Sequence, residues 1–271
     1  MPELPEVEIV CEGLRSTIVG AKIVEVIHGS KKLRIPFPKN LKSIKDCKIK
    51  AVTRRAKYIL INLDNNKTLI VHLGMSGRFT IVDSYEPKKH DHFLMKLSNG
   101  KTAVFNDARR FGLIDLVDTA KLKEYFKSLG VEPLGKEFDT AYLKEVLSSR
   151  NVPIKQAIMD QKIVVGVGNI YACEALFDCK ISPLRIAKTL NNNEIIKLVK
   201  AIKKILLKGM KAGGSSFRDY QHADGSKGSF QTLFKVYGKE GKPCPGCTCK
   251  GGIERIVQGG RSSFYCSKRQ K

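Results

Sequence analysis

Glu3-Leu-Pro-Glu-Val-Glu-Ile-Val-Cys-Glu-Gly-Leu-Arg-Ser-Thr-Ile18, at the start of the chain, places Val7, Val10, Cys11, Leu14 and Ile18 at helical spacing, and Gly20 stops the pattern. A short amphipathic helix is therefore expected to open the fold. Outward from it the period becomes that of strands, in short runs at Lys22 to Ile27, Ala51 to Arg54, Tyr58 to Leu63, Thr68 to Leu73, Phe93 to Leu97, Thr102 to Phe105 and Leu113 to Val117. Turn residues such as Asp64-Asn65-Asn66 and Asn99-Gly100 bound several of them. This half of the chain reads as a β-sandwich or barrel-like domain ending near residue 120.

Beyond that point the pattern turns helical, at Ala141 to Leu147, Ile154 to Met159, Asn169 to Phe177 and Glu194 to Met210. The run Asn191 to Asn193 is expected to cap the last of these, and Gly213-Gly214 to stop it. Residues 215–229, SSFRDYQHADGSKGS, are polar and rich in Gly and Ser, so they read as a loop of the second domain. A final stretch from Val236 carries four of the cysteines, and no internal repeat is present.

Among 271 residues, 49 Lys and Arg stand against 26 Asp and Glu, a formal net charge of +23. Such an excess points to a polyanionic partner, because cationic surfaces gain affinity for nucleic acid by releasing its condensed counterions. An anionic membrane surface and ribosome-like packing on RNA are the other readings of charge alone. No apolar run reaches the roughly 18 residues that a membrane helix needs, and the acidic MPELPEVE is unlike a signal peptide. A cytoplasmic protein is expected. Cys11, Cys47, Cys173 and Cys179 lie in apolar contexts and read as buried thiols of a reducing compartment.

Methionine is usually removed when a small residue follows, which would leave Pro2 as the N-terminus with a free secondary amine. An α-amino group titrates at about 7.7 to 8.0, far below lysine, so part of it is nucleophilic at neutral pH. Attack on a sugar carbon would give an iminium ion, already cationic and therefore an electron sink for elimination. Glu3 and Glu6 sit one turn apart beside that amine, and either could act as a general acid. Ordinary helix-start chemistry accounts for the same residues equally well.

Further along, Lys57 begins an alternating strand and could hold a phosphate or be a solvated strand end. His72-Leu-Gly-Met-Ser-Gly77 reads as a strand entering a Gly-rich turn, with Met75 either exposed or filling the core. Asp107-Ala-Arg-Arg-Phe-Gly112 is a similar turn, whose Arg109 and Phe111 could replace the stacking lost when a base leaves a duplex. Val165-Gly-Val-Gly-Asn169 leads into a helix and could present amides to a phosphate, although helix packing explains it too. Lys197, Lys200, Lys203, Lys204, Lys208 and Lys211 share one helix and read as a solvated face. Cys244-Pro-Gly-Cys247 and Cys266 have the separation of a zinc ribbon, but Arg269 stands where a second CxxC would end. Cys249 could close the set at an unusual spacing, or the hairpin could fold without metal. A redox CxxC is disfavoured because no βαβ pattern surrounds it.

The order of these segments is more specific than any one of them. PELPEVE, RRAKY, HLGMSG, KHDH, DARRFG, VGVGNIY, GGSSFRDY, KVYGKEGKPCPGC and GRSSFYC together resemble bacterial formamidopyrimidine-DNA glycosylases over essentially the whole chain. The resemblance implies an α+β fold: an N-terminal helix plus β-sandwich domain (1–120), a helix-two-turns-helix domain (121–235) with a lesion-capping loop at 215–229, and a C-terminal zinc-finger-like β-hairpin (236–270). It implies excision of oxidised purines (8-oxoguanine and formamidopyrimidines) from duplex DNA, with abasic-site lyase activity by β,δ-elimination. Pro2 would be the Schiff-base nucleophile, Glu3 the acid, Lys57 an aid to β-elimination and Arg261 the arginine of δ-elimination. His72, Met75, His90, Arg109, Phe111, Arg150 and Asn169 match DNA-contacting positions, Arg150 standing where lysine is common. Cys244, Cys247, Cys266 and Cys249 would hold one structural zinc. The partner would be double-stranded DNA bound by a monomer in the bacterial cytoplasm, at the nucleoid when bound. An endonuclease VIII-like selectivity for oxidised pyrimidines, and a non-catalytic damage-binding protein, are the alternatives; PELPE, KHDH and DARRFG favour the purine enzyme.

Overall fold

The computed structural model describes residues 2–215, 223–226 and 228–271. Two compact units emerge: residues 1–127 with 209–231, and residues 128–208 with 232–271. Among the described residues no helix is long and apolar enough to cross a membrane.

The first unit opens with α1 (Leu4–Ile18), whose apolar stripe of Val7, Val10, Cys11, Leu14 and Ile18 is fully buried, as its spacing requires. Eight strands follow: β1 (Ile23–His28), β2 (Ile49–Arg55), β3 (Tyr58–Leu63), β4 (Lys67–His72), β5 (Arg78–Val82), β6 (Asp91–Leu97), β7 (Thr102–Asn106) and β8 (Leu113–Asp118). They form two antiparallel four-stranded sheets in the orders β1-β6-β7-β5 and β2-β3-β4-β8. Both sheets and α1 contribute to one apolar core, including Ile23, Phe79, Phe93 and Phe105 from one sheet and Ile59, Ile61, Leu69 and Val71 from the other. This is a β-sandwich with a helix against β2 and β3.

One strand lay outside the sequence expectation. β5 directly follows the Gly-rich turn and pairs only with β7, so Arg78, Thr80 and Val82 stay half-buried while Phe79 enters the core. Five residues with one buried aromatic leave too little alternation to read. The boundary expected near 120 also moves. Leu122–Tyr125 forms the short helix α2, and Phe126 packs edge-on against Tyr58 with centroids 5.1 Å apart, which extends the unit to 127. The loop assigned to the second domain has its described residues in the first. The Ser215 N–H donates to Glu6 Oε1 at 2.7 Å, the Ile81 N–H to the Ala223 carbonyl at 2.8 Å, and Ser215 bridges Ser229. Residues 216–222 and 227 of that loop lie outside the described residues.

The second unit contains α3 (Thr140–Leu147), α4 (Ile154–Met159), α5 (Asn169–Asp178), most of α6 (Asn192–Lys211) and the hairpin of β9 (Glu254–Gln258) and β10 (Arg261–Tyr265). Asp139 caps α3 by accepting the Tyr142 N–H at 2.8 Å. Asn191 and Glu194 exchange hydrogen bonds at the start of α6, a capping box that fixes this helix two residues earlier than its apolar pattern suggested. Glu174, 2% exposed on α5, accepts the N–H groups of Lys235, Val236 and Tyr237, each at 2.9 Å, and so anchors the entry to the cysteine-bearing segment.

Glu6 joins the base of loop 215–229 to the N-terminus, since it also accepts the Glu3 N–H at 2.8 Å. Replacing Glu6 with alanine leaves two buried N–H groups without this acceptor, and the expected loss of stability is about 3 kcal/mol. Urea unfolding checks this; a loss under about 1 kcal/mol would show that water replaces the carboxylate.

Candidate functional site

The site residues of the first unit start at the mouth of α1. Glu3 is the N-cap, in extended conformation, and forms a reciprocal capping box with Glu6: each side chain accepts the other's backbone N–H. Pro5 in the first turn lacks an N–H that the helix could not have used. Pro2, Glu3 and Glu6 are all buried. The two glutamates, indistinguishable by sequence, differ in surroundings, because Glu6 also accepts the Ser215 N–H.

Lys57 lies in the turn between β2 and β3, after Ala56 at a φ of 52°, and is 7% exposed. Arg54 fixes that turn to α1, donating through Nε to Glu8 Oε2 and through Nη1 to the Ala56 carbonyl, both at 2.8 Å. The helix that begins beside Pro2 thus holds the turn that carries Lys57. His72, at the end of β4, stacks edge-on against Tyr58 with centroids 4.7 Å apart. Its Nδ1 accepts the Gly74 N–H at 2.9 Å, so Nε2 carries the ring proton. Burial first, then the charges of Arg34 and Lys57, bring its pKa down to about 4. His72, which the resemblance matches to a DNA-contacting position, is half-buried here and holds the turn bearing Met75 through its Nδ1.

Asp107 organises the rest and was passed over by the sequence reading. It is fully buried, and its carboxylate accepts the Ser76 hydroxyl at 2.6 Å, the Gly112 N–H at 2.7 Å and the Arg109 N–H at 3.2 Å. Its own N–H donates to the His90 carbonyl at 3.0 Å, and His92 Nε2 lies 3.0 Å from its carbonyl oxygen. One carboxylate therefore holds both turns. Gly74, at a φ of 64°, lies so close to Phe111 that a Cβ would meet its carbonyl carbon at 2.5 Å. The turns present Met75 (39% exposed), Phe111 (45% exposed) and Arg109 together, the guanidinium 4.6 Å over the Phe111 ring. His90, at a φ of 75°, stays half-buried beside them. Arginine on an aromatic ring, with a thioether on the facing turn, is a surface that can stack with or displace nucleobases.

In the second unit Asn169 is the first residue of α5 and donates through Nδ2 to the Ser262 carbonyl at 2.9 Å. Lys155, 1% exposed, donates to the same carbonyl at 3.1 Å and to Ser263 Oγ at 2.6 Å. Both groups grip β10 beside Arg261, which is exposed where the hairpin turns through Gly259 and Gly260. Those glycines have φ of 53° and 73°, as a two-residue hairpin turn with the twist of its strands requires. Arg150 is exposed after α3 and forms no ion pair among the described residues. Lys155 escaped notice because a lysine in Ile154–Met159 looks like the polar face of a helix; its signal was a lone charge in an apolar run.

The sulfurs of Cys244, Cys247, Cys249 and Cys266 all lie within 4.8 Å of one another. Four converging thiols could hold one metal ion, and a set of four soft donors suits a tetrahedral centre. Cys249 fills out the cluster where position 269 carries arginine. Of the other four cysteines, Cys11, Cys47 and Cys173 are buried and Cys179 half-buried, all as free thiols.

His72 gives a pH test. Its folded pKa, about 4, lies below the unfolded value of 6.5, so between these pH values the unfolded chain binds more protons and stability falls as pH falls. Nuclear magnetic resonance titration is expected to put the His72 midpoint near 4, with a His72→Gln protein losing less stability over that window. A midpoint above 6 would overturn the assignment.

The formamidopyrimidine-DNA glycosylase N-terminal domain model matches residues 1–114, and the formamidopyrimidine-DNA glycosylase H2TH domain model matches residues 129–221. The formamidopyrimidine-DNA glycosylase of Roseobacter denitrificans is 45% identical over 283 residues, covering 100% of both chains. Among solved structures, a Lactococcus lactis FPG mutant in complex with a Fapy-dG-containing DNA gives a TM-score of 0.92 at 34% identity, over 100% of both chains. The MutM (FPG) protein from Thermus thermophilus gives 0.89 at 36% identity, covering 99% of this chain and 98% of that one. The chain belongs to the formamidopyrimidine-DNA glycosylase family.

Proposed function

We infer that this chain removes oxidised purines, 8-oxoguanine and formamidopyrimidines, from duplex DNA and then cuts the strand as an abasic-site lyase. The observation that carries the reading is the buried start of α1, where Pro2 precedes the Glu3–Glu6 capping box on a protein of net charge +23. The Lactococcus lactis relative, solved with Fapy-dG-containing DNA, supports the purine assignment.

The lesion leaves the base stack, and Arg109, Met75 and Phe111 occupy the gap. His90, Arg150 and Asn169 bear on phosphates; Asn169 has a second Nδ2 hydrogen to offer beyond the one given to Ser262. With Met1 removed, the Pro2 amine attacks the anomeric carbon while Glu3 protonates the sugar ring oxygen. The C–N bond to the base breaks and the ring opens as an iminium ion. Loss of a proton from C2′ then expels the 3′-phosphate, and a second elimination expels the 5′-phosphate. Lys57 assists the first elimination and Arg261 the second by neutralising the departing phosphates. Cys244, Cys247, Cys249 and Cys266 would hold one structural zinc, which would fix the hairpin that carries Arg261. The protein acts as a monomer in the bacterial cytoplasm, on nucleoid DNA.

Borohydride reduction with duplex containing 8-oxoguanine opposite cytosine is expected to trap a covalent adduct through Pro2. Protein that retains Met1 should bind the duplex and fail to be trapped. No adduct with correctly processed protein would overturn the enzyme reading, and stronger trapping on a dihydrouracil duplex would move the specificity to pyrimidines. Arg109→Ala is expected to slow 8-oxoguanine release roughly 100-fold, the scale of lost positioning, and to change Schiff-base formation at a pre-formed abasic site by less than about twofold. Equal losses on both substrates would remove Arg109 from the gap-filling role.

A further inference from the structure

Position 269 carries arginine three residues after Cys266, where a second CxxC would supply its last thiolate. The backbone turns after Cys266, the Arg269 N–H donating to the Cys266 carbonyl at 3.1 Å. The side chain folds back onto the other knuckle: Nη1 donates to the Gly246 carbonyl at 2.8 Å, and the guanidinium carbon lies 4.9 Å over the Phe177 ring. Gly246, between Cys244 and Cys247, leaves room for it, since a Cβ there would meet the guanidinium at 2.5 Å.

Arg269 Nε is buried and has no hydrogen-bond acceptor among the described residues. A buried donor of this kind costs about 1–3 kcal/mol, more when charged, so a fold that retains it implies an acceptor in the working state. Four thiolates around one divalent cation leave two negative charges and several sulfur lone pairs, which are such acceptors.

The geometry points to Arg269 as a positioning residue of the metal centre: its Nε–H donates to a thiolate of the Cys244–Cys247 turn, while Cys249 supplies the fourth thiolate that position 269 lacks. The inference rests on the four-cysteine zinc reading. Arginine suits the role because one planar group can face Phe177, bind the Gly246 carbonyl and aim Nε–H at sulfur together.

The test uses full-length protein loaded with Zn²⁺ or Co²⁺. Wild type should bind one metal per chain, with the visible bands of a tetrahedral four-thiolate cobalt site. C249S should lose about a quarter of the sulfur-to-cobalt charge-transfer intensity, one thiolate in four, and the double variant C249S/R269C should regain it. R269L should keep the four-thiolate spectrum but release zinc to a chromophoric chelator about tenfold faster, the scale of a lost outer-sphere partner. R269K, which keeps the charge without a guanidinium Nε–H, should behave like R269L. Release from R269L within about twofold of wild type, or equal destabilisation of metal-free and zinc-loaded R269L in thermal melting, would overturn the role of Arg269. Wild type without stoichiometric metal would overturn the zinc reading itself.

Discussion

A carboxylate sealed from water must be met by donors on every side, and the structure around Asp107 depends on that requirement. Its two oxygens take one hydroxyl and two backbone N–H groups from two turns separated in sequence by more than thirty residues. Neither turn has a reason of its own to face the other. Gly74 then lets their backbones touch, and Met75, Arg109 and Phe111 emerge as one group. A fully buried ion seldom adds much net stability. What it adds here is a fixed geometry for three exposed side chains that the core could not otherwise position.

The same device recurs. Glu6 joins the N-cap of α1 to the base of loop 215–229; Glu174 gathers three successive N–H groups at the entry to the cysteine segment; Lys155 grips β10 next to Arg261. Each buried charge binds backbone of a segment that carries candidate chemistry. Backbone is the informative partner, because its position does not change when neighbouring side chains vary, whereas a side-chain ion pair would constrain both residues.

This device also explains what could be read from sequence. Alternation and helical spacing placed α1, α3 to α6 and seven of the eight sandwich strands, since those patterns report burial directly. β5 was hidden because an edge strand with one buried aromatic hardly alternates. Asp107, Glu174 and Lys155 were hidden for a different reason. Glu174 and Lys155 meet N–H, C=O and hydroxyl groups 61 to 108 residues away, and Asp107 meets a hydroxyl 31 residues away beside two N–H groups of its own turn; groups so common leave no residue pattern to mark them. The metal cluster lay between these cases: Cys244, Cys247 and Cys266 carry a readable spacing, whereas the convergence of Cys249 required the fold.

Pairing also separates the arginines by task. Arg54 bonds Glu8, and Arg185 bonds Glu194 at 3.0 Å, each carboxylate being half-buried, so these cations are part of the scaffold. Arg109, Arg150 and Arg261 are exposed and form no ion pair among the described residues. Exposed ion pairs contribute little to stability, so the fold loses little by leaving these three without acidic partners. A pre-formed ion pair, by contrast, would have to break before a phosphate could bind, which would weaken each counterion-releasing contact. Of the lysines on α6, Lys204 is tied to Asp178 and Lys203 reaches the Gly135 carbonyl, while Lys197, Lys200, Lys208 and Lys211 are exposed. They raise the field that draws in a polyanion, and the three arginines without acidic partners stay open to one.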